Sequence, residues 1–133
     1  MGNSADNEQI ARKFFEFFDQ EDLSEFKNFV SKDIIWTPVA KSIPVFRTFN
    51  GIDEILNDFV GQGRKNLNGA PHSKINRLLV AGDWVVAEIE GFGKMKNGVD
   101  YHNFYCILLE IKNGQVVQVR EYMDTGYILS LPH

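Results

Sequence analysis

Hydrophobic and polar positions alternate along the last third of the chain, as they do in β-strands. The alternating stretches occupy residues 85–90, 101–111 and 116–124, and Asn97-Gly98 and Asn113-Gly114 separate them. Asn-Gly is the strongest short hairpin signal, because the two central residues of a type I′ turn both need a positive φ. The pattern therefore predicts three long strands joined in one antiparallel meander.

The first half of the chain has a different period, with apolar side chains three and four residues apart, which is typical of amphipathic helices. Capping-box spacings predict helices that begin near Asp6 and Asp22, and a third helix is predicted from about Gly51 to a break at residues 61–63. The apolar stripes of these helices are Ile10, Phe14, Phe17 and Phe18, then Leu23, Phe26, Phe29 and Val30, then Ile52, Ile55, Leu56, Phe59 and Val60.

Two more strands are expected outside the meander. A brief strand at residues 34–37 should stop at Pro38, because proline has no N–H to donate to a neighbouring strand, and a strand at about 73–81 should lead into the meander. Helices first and antiparallel strands afterwards predict an α+β fold, with about three N-terminal helices on one face of the sheet. The length of 133 residues predicts a single domain over residues 1–133.

Side chains alternate between the two faces of a strand, so the pattern also predicts what each face carries. The face expected to be concave, towards the helices, carries Glu88 and Glu90 on one strand, Asn103 and Tyr105 on the next, and Glu121 on the last. The opposite face is also largely apolar, which a monomer with one solvated sheet face would not need. We therefore expect a homodimer that forms through the sheet.

Composition argues against several classes of partner. The net charge is −4 and no run of Lys and Arg exceeds two, so nucleic-acid binding has little electrostatic support. No apolar run reaches the ~18 residues of a membrane span, no secretory signal is readable, and Cys106 is the single cysteine. We therefore expect a soluble cytoplasmic protein with no membrane association and no internal disulfide.

The histidines give no sign of a metal site. His72, His102 and His133 have no metal-ligand spacing, so neither a metal nor an organic cofactor is expected. His102 and Cys106 resemble a catalytic dyad, but four residues along a strand separate them by ~13 Å, which is too far for proton transfer. Cys106 is therefore interpreted as structural.

Short motifs along the whole chain carry a family resemblance. They are Trp36-x-Pro38, Gly51-x-Asp53-x-Ile55, Gly98-x-x-Tyr101-x-Asn103-x-Tyr105, Asn113-Gly114-x-Val116 and Glu121-Tyr122-x-Asp124-Thr125. The set resembles the nuclear-transport-factor-2-like superfamily, in its SnoaL-like, ketosteroid-isomerase-related branch, over roughly residues 6–127. The resemblance implies a cystatin-like cone, in which a highly curved sheet and the helices surround a deep pocket and dimers form through the sheets.

The resemblance does not fix a reaction, because the superfamily includes isomerases, cyclases, hydrolases and non-enzymatic partners. The three catalytic positions of ketosteroid isomerase fall on Phe14, Thr37 and Ile107. None of these side chains is a carboxylate base or a strong oxyanion donor. Steroid isomerisation by the usual residues is therefore not expected.

In two other branches of the superfamily, positions of catalytic acids fall on acidic residues of this chain. The aspartate positions of limonene epoxide hydrolase fall on Glu90 and Glu121, whereas the positions of its bridging arginine and of its water-holding tyrosine and asparagine fall on Glu88, Trp36 and Pro38. The polyketide-cyclase branch uses one late-strand acid to remove a proton next to a carbonyl, and Glu121 is the nearest candidate. Of the three mechanisms, the cyclase mechanism requires the fewest catalytic side chains from this chain.

The sequence thus predicts an acid–base site for a small, mostly apolar molecule. Glu121 is the expected general base, assisted by Glu90, because burial and a neighbouring carboxylate both raise a carboxyl pKa towards neutrality. Asn103 or Tyr105 is expected to donate to a developing oxyanion. The side chains expected to line the pocket are Phe15, Phe18, Trp36, Phe59, Glu88, Phe92, Asn103, Tyr105 and Met123.

Several alternatives stay open. The glutamates are either pocket acids or surface groups near the strand ends, solvated or paired with Lys94 or Arg120. The protein is either an enzyme, with epoxide hydrolysis as a weaker variant of that hypothesis, or a non-catalytic module that binds a ligand or a protein. Residues 61–71 form either a lid or a surface loop. Asp124 is interpreted as a tie for the C-terminal segment.

Overall fold

The computed structural model describes residues 4–132, which form a curved, unclosed sheet of six strands and a few helices. The helical elements are α1 (Ser4–Phe18), a 3₁₀ turn (Phe26–Phe29), α2 (Ile52–Glu54), a π-helix (Ile55–Val60), α3 (Gly61–Arg64) and α4 (Thr125–Ser130). The strands are β1 (Val30–Pro38), β2 (Phe49–Asn50), β3 (His72–Ala81), β4 (Trp84–Lys94), β5 (Asp100–Lys112) and β6 (Gln115–Met123). The predicted α+β class is confirmed.

The strand order is β2-β1-β6-β5-β4-β3, and every neighbouring pair is antiparallel except β1 with β6. The predicted meander is therefore confirmed. One face of the sheet, called the inner face from here on, packs against α1 and the helical segment of residues 52–64. The core between them includes Phe14 and Phe15 from α1 and Val85, Leu109 and Val119 from the sheet, none more than 4% exposed. Burying one such side chain stabilises the fold by ~1.5–3 kcal/mol.

The loop between β4 and β5 decides which side chains of β4 face the core. It is not the predicted type I′ turn, because Gly98 has a positive φ of 91° and Asn97 does not. Gly98 N–H donates to Met95 O at 3.0 Å and Met95 N–H donates to Val99 O at 2.9 Å, which encloses a loop of three residues. A two-residue turn would shift the pairing of the strands by one residue, and such a shift moves every side chain of a strand to the other face.

Glu88, Glu90 and Phe92 therefore lie on the outer face of the sheet, and the prediction that they face the helices is wrong. The observed register pairs even-numbered residues of β4 with even-numbered residues of β5, and odd with odd. Apolar side chains then fill the inner face of β4, followed by two glycines. These inner residues are Val85, Ala87, Ile89, Gly91 and Gly93.

The turn between β5 and β6 matches the prediction. Asn113 and Gly114 both have a positive φ, of 52° and 75°, as a type I′ turn requires. A β-bulge follows and leaves Val117 without a partner in β5. Because of this extra residue, Glu121 lies opposite Ile107 on the inner face, where the sequence predicted it.

Some boundaries differ from the predicted ones. β1 includes Pro38, because proline stands at the end of the strand and the next residue, Val39, donates its N–H to Glu121 O at 2.7 Å. α1 begins at Ser4, so Asp6 lies in its first turn. The helix expected near Asp22 is reduced to the 3₁₀ turn at Phe26–Phe29.

The C-terminal segment contains a helix, α4, that the sequence did not indicate. Asp124 caps this helix, because its Oδ1 accepts the N–H of Tyr127 at 3.2 Å. The interpretation of Asp124 as a tie for the C-terminal segment is therefore confirmed.

Residues 61–71 are bound to the rest of the chain at several points. The predicted break at residues 61–63 is wrong, since the helix continues to Arg64, whose guanidinium donates to carbonyl oxygens at the end of α1. Asn68 N–H donates to Lys94 O at 2.6 Å, and Leu67 forms an isolated bridge with Met95. The segment is thus a strap across the end of the β4–β5 hairpin.

Gly61 and Gly63 provide a matched pair for testing the π-helix. A Cβ on Gly61 would lie 2.6 Å from Leu56 O, the carbonyl that accepts the Gly61 N–H, whereas a Cβ on Gly63 would meet no atom within 4 Å. Alanine normally stabilises a helical position by ~1 kcal/mol over glycine. We expect Gly63→Ala to raise the free energy of unfolding and Gly61→Ala to lower it by about 1–3 kcal/mol, as measured by urea denaturation. Equal stabilisation by both would contradict the proposed crowding.

Candidate functional site

Glu121 is a carboxylic acid on the inner face of the sheet, and Trp36 holds it there. The two residues stand on neighbouring parallel strands, where Trp36 pairs with Val119 and Pro38 pairs with Glu121. The indole Nε1 of Trp36 donates to Glu121 Oε1 at 3.0 Å. Because Trp36 is only 3% exposed, this hydrogen bond joins β1 to β6 inside the protein.

Burial dominates the ionisation of Glu121. Its neighbours on the inner face are Ile107 opposite and Val119 and Met123 along its own strand. Loss of hydration raises the pKa of Glu121 from 4.5 to about 7, although the hydrogen bond from Trp36 lowers it in part. The residue is half-buried, and within residues 4–132 no donor reaches its second oxygen, Oε2. Oε2 is therefore the oxygen that is open to a proton.

Aromatic side chains from the helices surround Trp36. The ring centroids of Phe14 and Phe18 both lie 5.7 Å from that of Trp36, and the centroid of Phe59 lies 5.9 Å from it. The structure thus brings Phe18 and Phe59 together with Trp36 beside Glu121. Phe15 packs edge-on against Phe14 at 5.1 Å and is 4% exposed, so it belongs to the core.

Two tyrosines of β5 share the inner face with Glu121. The hydroxyl groups of Tyr101 and Tyr105 are hydrogen-bonded to each other. Burial raises the pKa of both phenols, and the charge of Glu121 raises it further. Both phenols therefore keep their hydrogens at neutral pH and are able to donate.

Tyr101 is a site residue that the sequence analysis missed. It lies four residues before Tyr105 on the same strand, and alternation alone places the two on one face. The signal for Tyr101 was thus present in the alternating pattern.

Met123, which the sequence predicted in the pocket lining, lies opposite Tyr105 and is half-buried.

Asn103 is not an available donor for a ligand. The side chain is 1% exposed, and its Oδ1 accepts the N–H of Phe104 at 2.9 Å. Its Nδ2 donates to Tyr101 Oη at 3.1 Å and to Asp124 O at 3.3 Å. The amide is therefore fully engaged within the protein, which argues against its predicted role as an oxyanion donor.

Glu90 lies on the opposite side of the sheet from Glu121 and cannot assist it directly. Its carboxylate is hydrogen-bonded to His102 Nε2 at 2.9 Å and to Asn76 Nδ2 at 3.0 Å, and Lys74 Nζ lies 3.7 Å away. These contacts, with that from His102 the largest, lower the pKa of Glu90. It is thus a paired surface acid.

Glu88 and Phe92 are also engaged on the outer face. Glu88 Oε1 accepts from Arg77 Nε at 3.1 Å, and the ring of Phe92 stacks on His102 with 4.4 Å between centroids. Glu88 and Glu90 are therefore surface groups, which was one of the two alternatives left open by the sequence. Their partners are not the predicted Lys94 and Arg120.

The outer face also contains a groove of about 520 Å³. The exposed thiol of Cys106 lies in it, and the aromatic side chains Phe104 and Tyr122 are among its walls. The groove is separated from Glu121 by the thickness of the sheet, because residues 104, 106 and 122 alternate with the inner-facing positions.

No group of three His, Cys, Asp or Glu side chains within residues 4–132 is arranged to hold a metal ion. In the same part of the chain, no helix is long and apolar enough to cross a membrane. Among the described residues, β1, β5 and β6 place at the inner-face site the carboxyl group of Glu121, the indole N–H of Trp36, the two phenols and the fully engaged amide of Asn103.

The fold and this site agree with a known family. The chain belongs to the SnoaL-like domain family, whose model matches residues 11–119. The resemblance to the SnoaL-like branch of the nuclear-transport-factor-2-like proteins is thereby confirmed. The matched region ends two residues before Glu121, so the match supports the fold and gives no information about this acid. No curated protein matches the chain.

Solved structures share the fold at low sequence identity. A nuclear-transport-factor-2-like protein of unknown function from Burkholderia pseudomallei K96243 is 20% identical, with a TM-score of 0.83 over 95% of this chain and 96% of that chain. A candidate SnoaL-like polyketide cyclase from Jannaschia sp. CCS1 is 14% identical, with a TM-score of 0.79 over 97% and 95%. An LEH-like epoxide hydrolase from M. tuberculosis is 16% identical, with a TM-score of 0.75 over 95% and 88%. These similarities show the fold alone.

The raised pKa of Glu121 predicts how stability depends on pH. A carboxyl group whose pKa is 4.5 when unfolded and about 7 when folded binds its proton more tightly in the folded protein, so stability falls as the pH rises through that window. Relative to Glu121→Gln, which removes the titration, we expect the free energy of unfolding of the wild type to fall by on the order of 3 kcal/mol between pH 4.5 and pH 8.

Urea denaturation across this pH range measures the effect. Glu90→Gln is the control, and its difference from the wild type should change in the opposite direction because the pKa of Glu90 is lowered. A pH-independent difference for Glu121→Gln would contradict the assignment.

Proposed function

We propose that the protein is an enzyme in which Glu121 acts as a general base and removes a proton from a carbon atom of a small, largely apolar substrate. The reaction is an isomerisation or a cyclisation. One arrangement carries the proposal: Trp36 holds one oxygen of the half-buried Glu121 carboxyl group, and loss of hydration raises the pKa of that group to about 7. A base with that pKa both accepts and returns a proton near neutral pH, which is the efficient range for general-base catalysis.

The neighbours of Glu121 favour proton abstraction over epoxide hydrolysis. Hydrolysis on the pattern found in the sequence needs two acids, but Glu90 is on the outer face. The inward-facing positions of β4, β5 and β6 carry one carboxyl group, Glu121, together with the phenols of Tyr101 and Tyr105. A base beside phenol donors suits a carbon acid next to a carbonyl group.

The surroundings of the site favour an apolar substrate. Trp36, Phe18, Phe59 and Met123 supply aromatic and thioether surfaces beside Glu121, and such walls with a few polar groups are typical of small-molecule sites. The chemistry proposed requires no metal or organic cofactor. A cytoplasmic location is part of the proposal, because Cys106 is a free, exposed thiol.

Hydrogen–deuterium exchange tests the base without knowledge of the product. A panel of small cyclic and aromatic ketones is incubated with the protein in D₂O, and proton NMR follows exchange at the α-carbon. We expect the wild type to accelerate exchange of at least one ketone, and Glu121→Gln to lower that rate about 100-fold or more, because glutamine keeps the shape but does not accept the proton.

Glu90→Gln is the matched control, because it makes the same change on the other face of the sheet and should leave the rate unchanged. Exchange that persists in Glu121→Gln would remove Glu121 from the mechanism. Ketone binding without any exchange would instead support the non-catalytic ligand-binding module.

We also propose that two copies of the chain pair through the outer face of the sheet. Leu79, Phe104 and Tyr122 on this face are 59%, 56% and 39% exposed, and exposed apolar patches mark interfaces. Phe104 projects beside the groove around Cys106. A two-fold axis would allow the Phe104 ring of each copy to enter the groove of the other, because an isologous interface joins one patch to itself.

Sedimentation equilibrium at micromolar concentration should therefore give a dimer. Phe104→Glu should give a monomer, because it places an unpaired charge in the proposed interface. Val45→Glu is the control: Val45 is 73% exposed and lies in the loop between β1 and β2. A monomeric wild type, or equal dissociation by both substitutions, would contradict the proposed interface.

A further inference from the structure

The neighbours of Glu121 on the inner face of the sheet are neutral side chains. They are Ile107 opposite, Val119 and Met123 along β6, and Trp36 on β1. The pKa of Glu121 reflects this setting, because loss of hydration and the Trp36 hydrogen bond account for its shift and no cation of the described residues contributes. Acids that lose hydration in proteins are normally paired with a cation. The charged form of Glu121 therefore lacks the partner that its surroundings call for.

One oxygen of this carboxyl group is left for a ligand. Oε1 accepts the indole N–H of Trp36 at 3.0 Å, whereas no donor from the described part of the chain reaches Oε2. Glu121 is half-buried, so part of the residue is accessible from solvent. When Glu121 is ionised, the site therefore offers one hydrogen-bond acceptor that carries a negative charge.

Aromatic rings lie on both sides of this acid. Tyr105 stands on the neighbouring strand, and the charge of Glu121 contributes to its raised pKa, which places the two groups close together. Phe18 and Phe59 pack against Trp36 at 5.7 and 5.9 Å, and both are half-buried. The faces of aromatic rings attract cations, and groups of such rings recognise alkylated ammonium ions. The rings therefore add to the attraction that Glu121 exerts on a cation.

We propose that the inner-face site binds a small tertiary ammonium ion, whose single N–H donates to Glu121 Oε2 and whose alkyl groups contact the surrounding rings. The number of donors selects this class. A primary ammonium group has three N–H donors, more than the one open carboxylate oxygen satisfies, and a quaternary ammonium group has none. The proposal goes beyond the proposed function, because it needs the charge of Glu121 and no reaction.

Binding of such an ion should follow the ionisation of Glu121. The groups that face this acid are the indole of β1, the phenols of β5 and the aromatic rings of α1 and the π-helix. Arg64, the cation that lies over the Phe18 ring at 5.1 Å, donates to the carbonyl oxygens of Phe18 and Gln20. None of these groups changes its charge between about pH 5 and pH 8, so a change of affinity in that range belongs to Glu121.

Three probes of similar shape separate the effect of charge from that of apolar contact. Dimethylaminoethanol is a tertiary amine that is protonated at neutral pH, choline is its quaternary analogue without an N–H, and dimethylbutanol is the neutral analogue in which carbon replaces nitrogen. The indole N–H resonance of Trp36, assigned with Trp36→Phe, reports binding by NMR because this N–H donates to Glu121.

We expect the wild type to bind dimethylaminoethanol at millimolar concentration near neutral pH. Choline should bind about tenfold more weakly, because the hydrogen bond to a charged oxygen is missing, and dimethylbutanol more weakly again. Glu121→Gln should remove the preference for the two ammonium ions, whereas Glu90→Gln, on the outer face, should keep it. Acidification to about pH 5 should weaken binding of dimethylaminoethanol to the wild type about tenfold or more, because the pKa of Glu121 is about 7.

Equal affinities of the wild type for dimethylaminoethanol and dimethylbutanol would overturn the proposal, as would no binding of either ammonium ion or a preference that survives Glu121→Gln. Equal affinities for dimethylaminoethanol and choline would overturn the N–H contact with Oε2. These failures are distinct from failure of the proposed function: ketone exchange without ammonium binding leaves Glu121 as the base, and ammonium binding without exchange leaves a cation site alone.

Discussion

The hydrogen bond from Trp36 to Glu121 is the interaction on which the site depends. It crosses the parallel junction between β1 and β6, so it joins the first strand of the chain to the last strand of the meander. The indole is in turn packed by Phe14 and Phe18 of α1 and by Phe59 of the π-helix. The position of one carboxylate oxygen therefore depends on both helical elements that cover the sheet.

Burial gives Glu121 a reactivity that has a cost in stability. Apolar packing on the inner face removes water from the acid and raises its pKa to about 7, and the same desolvation penalises the charged form in the folded state. The core of Phe14, Leu109 and Val119, each 1% exposed or less, supplies the stabilisation that offsets this penalty. An acid whose pKa is raised by loss of hydration is a candidate for a functional site, because catalytic acids and bases need pKa values near the working pH.

The loop between β4 and β5 shows how far the sequence could predict this arrangement. Alternation and turn residues gave the meander and the inner position of Glu121 correctly, because the core and the Asn113-Gly114 turn agree with them. A two-residue turn at Asn97-Gly98 would have paired Glu90 with Tyr105, on the inner face. The observed loop is one residue longer and pairs Glu90 with Phe104. Both faces of β4 are rich in apolar residues, so polarity alone could not detect this shift. Tyr101, by contrast, could have been found from its spacing to Tyr105, whereas the engagement of Asn103 depends on contacts with Asp124 that no local pattern reveals.

The titration of Glu121 itself is the most direct test of this account. Glutamate labelled with ¹³C at the carboxyl carbon, assigned by comparison with Glu121→Gln, gives the pKa by NMR in the folded protein. We predict a midpoint near 7, and a further rise in Trp36→Phe, because the indole hydrogen bond favours the carboxylate. A midpoint near 4.5, unaffected by loss of the indole, would show a water-exposed acid and would contradict the inner-face site.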